Sequence, residues 1–142
     1  MTWDIRLDLG ALDIGAMGGY ARMDAIEKLV DAVVHVNRLW LPTHPRTPPL
    51  YSSGVVYAPD DSAFDPGLPN FWRDIPRTLE LGHGHCVALA AWRVAELREK
   101  GEKAKIRIDE WHERIPGSVE FHIHVLRGNG TIEDPARRLG MP

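Results

Sequence analysis

The only cysteine of the chain, Cys86, stands in GHGHCVALAAWRVAELREKG, residues 82–101, between two glycine–histidine pairs and an alanine-rich run. Ala88, Leu89, Ala90, Ala91, Ala95 and Leu97 favour a helix that starts near Cys86, runs to about Lys100 and stops at Gly101. A cysteine in the first turn of a helix faces unpaired N–H groups and the positive end of the helix dipole. Both favour the thiolate, the form that attacks carbonyls and binds metals. Gly82 and Gly84 would let the backbone turn sharply into the helix and let a substrate carbonyl come close. The competing reading is a small buried side chain with no chemistry at all.

A thiol nucleophile needs a base, and the base needs a group that orients it. The stretch VEFHIHVLR, followed by GTIED, reads as a hairpin closed at Gly128-Asn129-Gly130. On its first strand Phe121, Ile123 and Val125 share one face and His122 and His124 the other. A three-residue loop, 128–130, sets Asp134 opposite His124 and diagonal to His122, on the imidazole side. A two-residue loop turns Asp134 to the other face, so the site depends on that register. Taken alone, His122 and His124 read as solvated strand residues and Asp134, before Pro135, as a turn former.

The elements that must carry these residues are legible in outline. Trp3, Ile5, Leu7 and Leu9 alternate with Asp4, Arg6 and Asp8, the period of a half-buried strand, and glycines at 10, 15, 18 and 19 follow, so 1–22 reads as a strand with a glycine-rich extension. Asp24 and Glu27 resemble a capping box opening a helix whose face is Ile26, Leu29, Val30, Val33, Asn37 and Trp40. Prolines make 42–70 a loop-rich region, and a loop of that length is expected to pack over the surface. KAKIRIDEW alternates and reads as a strand, and Arg137 to Pro142 read as a short tail. The fold class is α+β, a single domain over 1–142, with the cysteine helix buried against an antiparallel sheet.

Composition narrows the functions. With 142 residues, 44% hydrophobic, 26% charged and a net charge of −3, the chain has no basic footprint for nucleic acid. No apolar run reaches membrane-spanning length, and MTWDIRLDLG does not read as a signal peptide. One cysteine makes no internal disulfide, so the expected place of work is the cytoplasm or a particle assembled there.

The order of cysteine at a helix start, histidine on a strand and Asp-Pro on the next resembles the papain-like core of the transglutaminase-like superfamily. PPLYSSGVVY (48–57), FWRDIPRTLELGHGHC (71–86), LAAWRVAELREKGEKAK (89–105) and FHIHVLRGNGTIEDPARRLGM (121–141) are similar to small transglutaminase-like proteins encoded by tailed phages and prophages. The likeness covers roughly 24–142. It departs at His85, where the family mostly has Asp, and at Val87-Ala88, where acidic residues are common. The resemblance implies a Cys86–His122–Asp134 triad for acyl transfer, with His122 rather than His124 as base, the Cys86 N–H as an oxyanion donor, a protein or peptide substrate and no cofactor.

Two other classes compete. His83, His85, Cys86, His122 and His124 offer nitrogen and sulfur ligands for zinc, though without paired cysteines. Alternatively the fold serves as a structural subunit of a phage-like particle, with the N-terminal strand free to pair with a neighbour. His35, on the first helix, and His44 and His112, in expected loops, have no partner in sequence. Trp72 and Trp92 read as core, and Tyr51 and Tyr57 as residues that can line the cleft entrance.

Overall fold

The computed structural model of the protein describes residues 17–60, 71–115 and 118–142, and the strand expected over 2–9 lies outside them. The chain is α+β, a central helix packed on a small antiparallel sheet. That helix, α3 (Cys86–Glu99), buries Val87 through Trp92, Val94, Ala95 and Leu97, so it is apolar on nearly every side. Such a helix needs cover all round, and three layers supply it.

On one side lies α1 (Gly19–Thr43), which contributes Ile26, Val30 and Val34 to the core it shares with Val87, Ala90, Ala91 and Val94. The helix begins more than a turn before Asp24, capped at Gly18 without a side-chain bond, so Asp24 caps nothing and instead pairs with Lys28 at 2.6 Å. Residues 19–22, expected as an extension, are therefore helical. On a second side lie β3 (Lys105–Ile115) and β4 (Ser118–Leu126), whose Ile106, Ile123 and Val125 meet the same core. β5 (Ile132–Glu133) adds an edge, giving the order β3-β4-β5.

The third side holds what sequence reading missed. A 3-10 turn (Leu50–Ser52), β1 (Val56–Tyr57), α2 (Ile75–Leu81), β2 (His83–Gly84) and α4 (Pro135–Arg138) gather around Leu50, Val55, Ile75, Leu89, Trp92 and Ala136. β1 and β2 pair in parallel, Val56 with His83 and Tyr57 with Gly84. Two buried polar side chains fasten this layer. Asn37 of α1 accepts from the Ile75 N–H at 2.9 Å, and Glu96 of α3 accepts from the Leu50 N–H at 2.6 Å. Each meets a buried amide that would otherwise cost about 1–3 kcal/mol. Residues 137–142 are not a tail: the Leu139 carbonyl accepts from the Tyr57 N–H at 2.9 Å, and Leu139 and Met141 pack on this cluster. Among the described residues no helix is long and apolar enough to cross a membrane.

The turn into α3 also has a packing cause. Gly82 ends α2 in the left-handed region, at φ 75°, where a side chain is strained. Gly84 is different, because a Cβ there would lie 3.1 Å from Thr78 Cγ2, 3.3 Å from Ala88 Cβ and 3.4 Å from Leu89 Cδ2. The space beside Gly84 is filled by the protein's own core, not kept open for a substrate. Gly84→Ala should therefore cost about 1–3 kcal/mol by overpacking, read in urea unfolding. A loss below about 0.5 kcal/mol would mean that the three neighbours give way.

Candidate active site

Cys86 is the first residue of α3, as the sequence indicates, and His85 is the N-cap. The cap is an unusual one. His85 Nδ1 accepts from the Val87 N–H at 3.2 Å while Nε2 lies 2.8 Å from the Phe71 carbonyl and 3.6 Å from an Asp60 carboxylate oxygen. An accepting Nδ1 and a donating Nε2–H describe the neutral ring, and burial, the largest influence, holds its pKa below the usual 6.5. His85 thus does the capping that a carboxylate would do in its place, without the negative charge.

The sheet brings the histidine strand to the thiol. The β4–β5 register pairs Val125 with Glu133 and Leu126 with Ile132, and Arg127 N–H bonds to the Thr131 carbonyl, so the loop is 128–130. Gly130, at φ 88°, supplies the left-handed residue of that turn. Asp134 accordingly falls opposite His124. By strand alternation the backbones of Ile123, Val125 and Arg127 all face the β5 side. At Ile123 that edge is open, because β5 ends at Glu133, and there the Cys86 sulfur meets the Ile123 backbone.

Asp134 uses both carboxylate oxygens. Oδ1 caps α4 by accepting from the Arg137 N–H at 3.1 Å, with Pro135 at the first helical position. Oδ2 receives His122 Nε2 at 2.9 Å and His124 Nε2 at 3.1 Å, with the two rings edge to face, 4.8 Å apart. Burial acts to raise the Asp134 pKa, but the Arg137 N–H and His122 prevail and hold it below the usual carboxylate range. Sequence reading missed Asp109, on β3, whose Oδ2 takes His124 Nδ1 at 2.6 Å. Its diagonal position to His124 on the neighbouring strand was the available signal.

The two histidines are therefore not equivalent. Both ring nitrogens of His124 face carboxylates, Nδ1 Asp109 and Nε2 Asp134. His122, only 3% exposed, bonds Asp134 through Nε2, and among the described residues Nδ1 has no hydrogen-bond partner, so a ring that donates Nε2–H keeps Nδ1 as an acceptor. Among the described residues no hydrogen bond joins Cys86 Sγ to either ring.

The thiol itself departs from the sequence expectation. Burial pushes its pKa up to about 11, and the Ile123 and Val87 N–H groups, which favour the thiolate, do not offset it. Desolvation of the charge outweighs the helix terminus. Beneath the site, Glu133 locks β5: Arg93 Nε donates to Oε1 at 2.7 Å, Arg127 Nη1 to Oε2 at 2.9 Å, and the Tyr51 hydroxyl donates to the same carboxylate. Tyr51 is thus a support of the hairpin, whereas Tyr57 lies within electrostatic reach of Cys86.

The remaining candidates separate clearly. Among the described residues the group able to hold a metal is His122, His124 and Asp134; His83, His85 and Cys86 do not join it. His35 pairs with Asp31 at 3.2 Å and His44 stacks on Trp40, while His112 lies in β3 opposite Glu120 rather than in a loop. Trp92 is fully buried and Trp72 packs on the core. No protein-family model, curated protein or solved structure matches the chain.

Two measurements follow from these electrostatics. Alkylation of Cys86 by iodoacetamide should climb about tenfold per pH unit toward pH 11; a plateau below pH 8 would indicate a resting thiolate instead. A buried neutral His85 means that the unfolded chain takes up a proton first as pH falls, so its contribution to stability is full above pH 6.5 and is lost below it. His85→Asn keeps a capping group that does not titrate. The difference in unfolding free energy between variant and wild type should shift in the variant's favour from pH 7.5 to 5.5, and a constant difference would refute the assignment.

Proposed function

We propose that the chain is a transglutaminase-like cysteine acyltransferase or hydrolase acting on amide bonds of a protein or peptide. In this reading Cys86 is the nucleophile, His122 the base and Asp134 the carboxylate that orients it. The observation that carries the reading is the 2.9 Å bond from His122 Nε2 to Asp134 Oδ2, which leaves Nδ1 as proton acceptor on the strand whose Ile123 backbone meets the Cys86 sulfur. The order of helix, histidine strand and Asp-Pro strand supports a papain-like core, and the similarity to phage- and prophage-encoded proteins supports a bacterial host or a phage-like particle as its setting.

A thiol held near pKa 11 is protonated at neutral pH, so proton removal accompanies attack. As Cys86 Sγ bonds to the substrate carbonyl carbon, its proton passes to His122 Nδ1, and the charge on the ring is steadied by Asp134 through Nε2–H. The carbonyl oxygen becomes an oxyanion. The Cys86 N–H, at the first position of α3 and without an i−4 carbonyl, is a donor for it. Collapse of the intermediate expels the amine, which takes the proton from His122 Nδ1, and leaves a thioester on Cys86. Water or a second amine then attacks the thioester with His122 again as base.

An activated ester such as p-nitrophenyl acetate tests the first half-reaction directly. Wild type should release nitrophenolate and carry an acetyl group on Cys86, seen by peptide mass spectrometry, and Cys86→Ala should not. His122→Ala should slow acylation by about 10²-fold or more and Asp134→Asn by about tenfold or more, with His124→Ala milder than His122→Ala. Equal rates for wild type and His122→Ala would end the proposal.

A further inference from the structure

We infer that His122, His124 and Asp134 also form a reversible site for a zinc-class divalent cation, and that filling it takes the His122 base out of use. The binding part stands on geometry alone; only the loss of function rests on the triad reading above. Three ligand atoms, one from each residue, lie within 4.8 Å of one another. Both Nε2 atoms already point at one carboxylate oxygen, at 2.9 and 3.1 Å. A tetrahedral ion bound at about 2.0–2.1 Å to nitrogen and oxygen asks for ligand spacings only slightly wider. The rings approach edge to face, so their lone pairs can converge without stacking.

The second observation lies behind the cluster. Asp109 Oδ2 holds His124 Nδ1 at 2.6 Å, and Arg107 Nε in turn holds the Asp109 carboxylate at 3.1 Å. A carboxylate on the far nitrogen fixes the ring's orientation and leaves Nε2 to present its lone pair, the arrangement that metal-bound histidines use. The donor set, two imidazoles and one carboxylate, suits Zn2+ or Co2+ rather than Mg2+ or Ca2+.

Occupation changes the protons in a defined way. His124 presents Nε2 to the ion and keeps Nδ1–H on Asp109. His122 must vacate Nε2 as well, and as a neutral ligand it then carries its proton on Nδ1. That is the nitrogen which otherwise accepts the proton of Cys86, so the filled site has no base facing the thiol.

The test uses chelator-stripped full-length protein with Zn2+ in calorimetry and Co2+ in absorption. About one ion per chain should bind, Asp109→Asn should weaken binding about 10- to 100-fold, and Cys86→Ser should leave it within about twofold. Imidazole 15N spectra should move His122 from the Nε2–H to the Nδ1–H pattern when zinc is added. No binding below millimolar zinc, an equal loss in Cys86→Ser with a thiolate-to-cobalt band, or an unchanged His122 pattern would each overturn the inference. Because these readouts need no turnover, an inactive protein that passes them fails only the acyl-transfer reading, whereas an active one that fails them loses only the metal site.

Discussion

One carboxylate oxygen, Asp134 Oδ2, receives two imidazoles, and the rest of the site is arranged around that sharing. Its partner oxygen caps α4, so the position of the carboxylate is fixed by the start of a helix as well as by a strand. The hairpin before it cannot slip, because Glu133 is bound to side chains from three other segments. A change of one residue in loop length would reverse the faces of β5 and undo both sets of contacts at once.

A second balance concerns charge near the thiol. The helix terminus favours a thiolate and burial opposes it, and burial prevails. His85 caps α3 as a neutral group, so the cap adds no anion that would push the thiol higher still. The site keeps the thiol protonated at neutral pH. This differs from a preformed ion pair, which would hold a reactive thiolate whether or not substrate was bound.

What sequence reading captured follows from strong local signals. The cysteine helix has an alanine-rich interior and a glycine stop, and Gly128-Asn129-Gly130 sets the hairpin register that aligns Asp134 with the imidazoles. The misses have local causes too. Asp74 and Pro76 mark the start of α2 and Asp134-Pro135 the start of α4, yet both helices are short and lack an apolar period. β1 and β2, two residues each, exist through tertiary pairing alone. Asp24 shows the reverse error, a capping pattern overridden because Gly18 already starts the helix. Asp109 lay hidden because its partner is diagonal across a strand pair whose register is broken by a bulge just beyond it, at Glu110, φ 52°.

The separation of Cys86 from Asp134 along the chain has a consequence for synthesis. A ribosome makes the thiol and its helix before His122, His124 and Asp134, and domains fold as their segments emerge. Until β4 and β5 pack against α3, the nascent protein carries an ordinary cysteine with none of these groups beside it. A product cut short before β4 therefore carries the thiol without either imidazole or the Asp134 carboxylate.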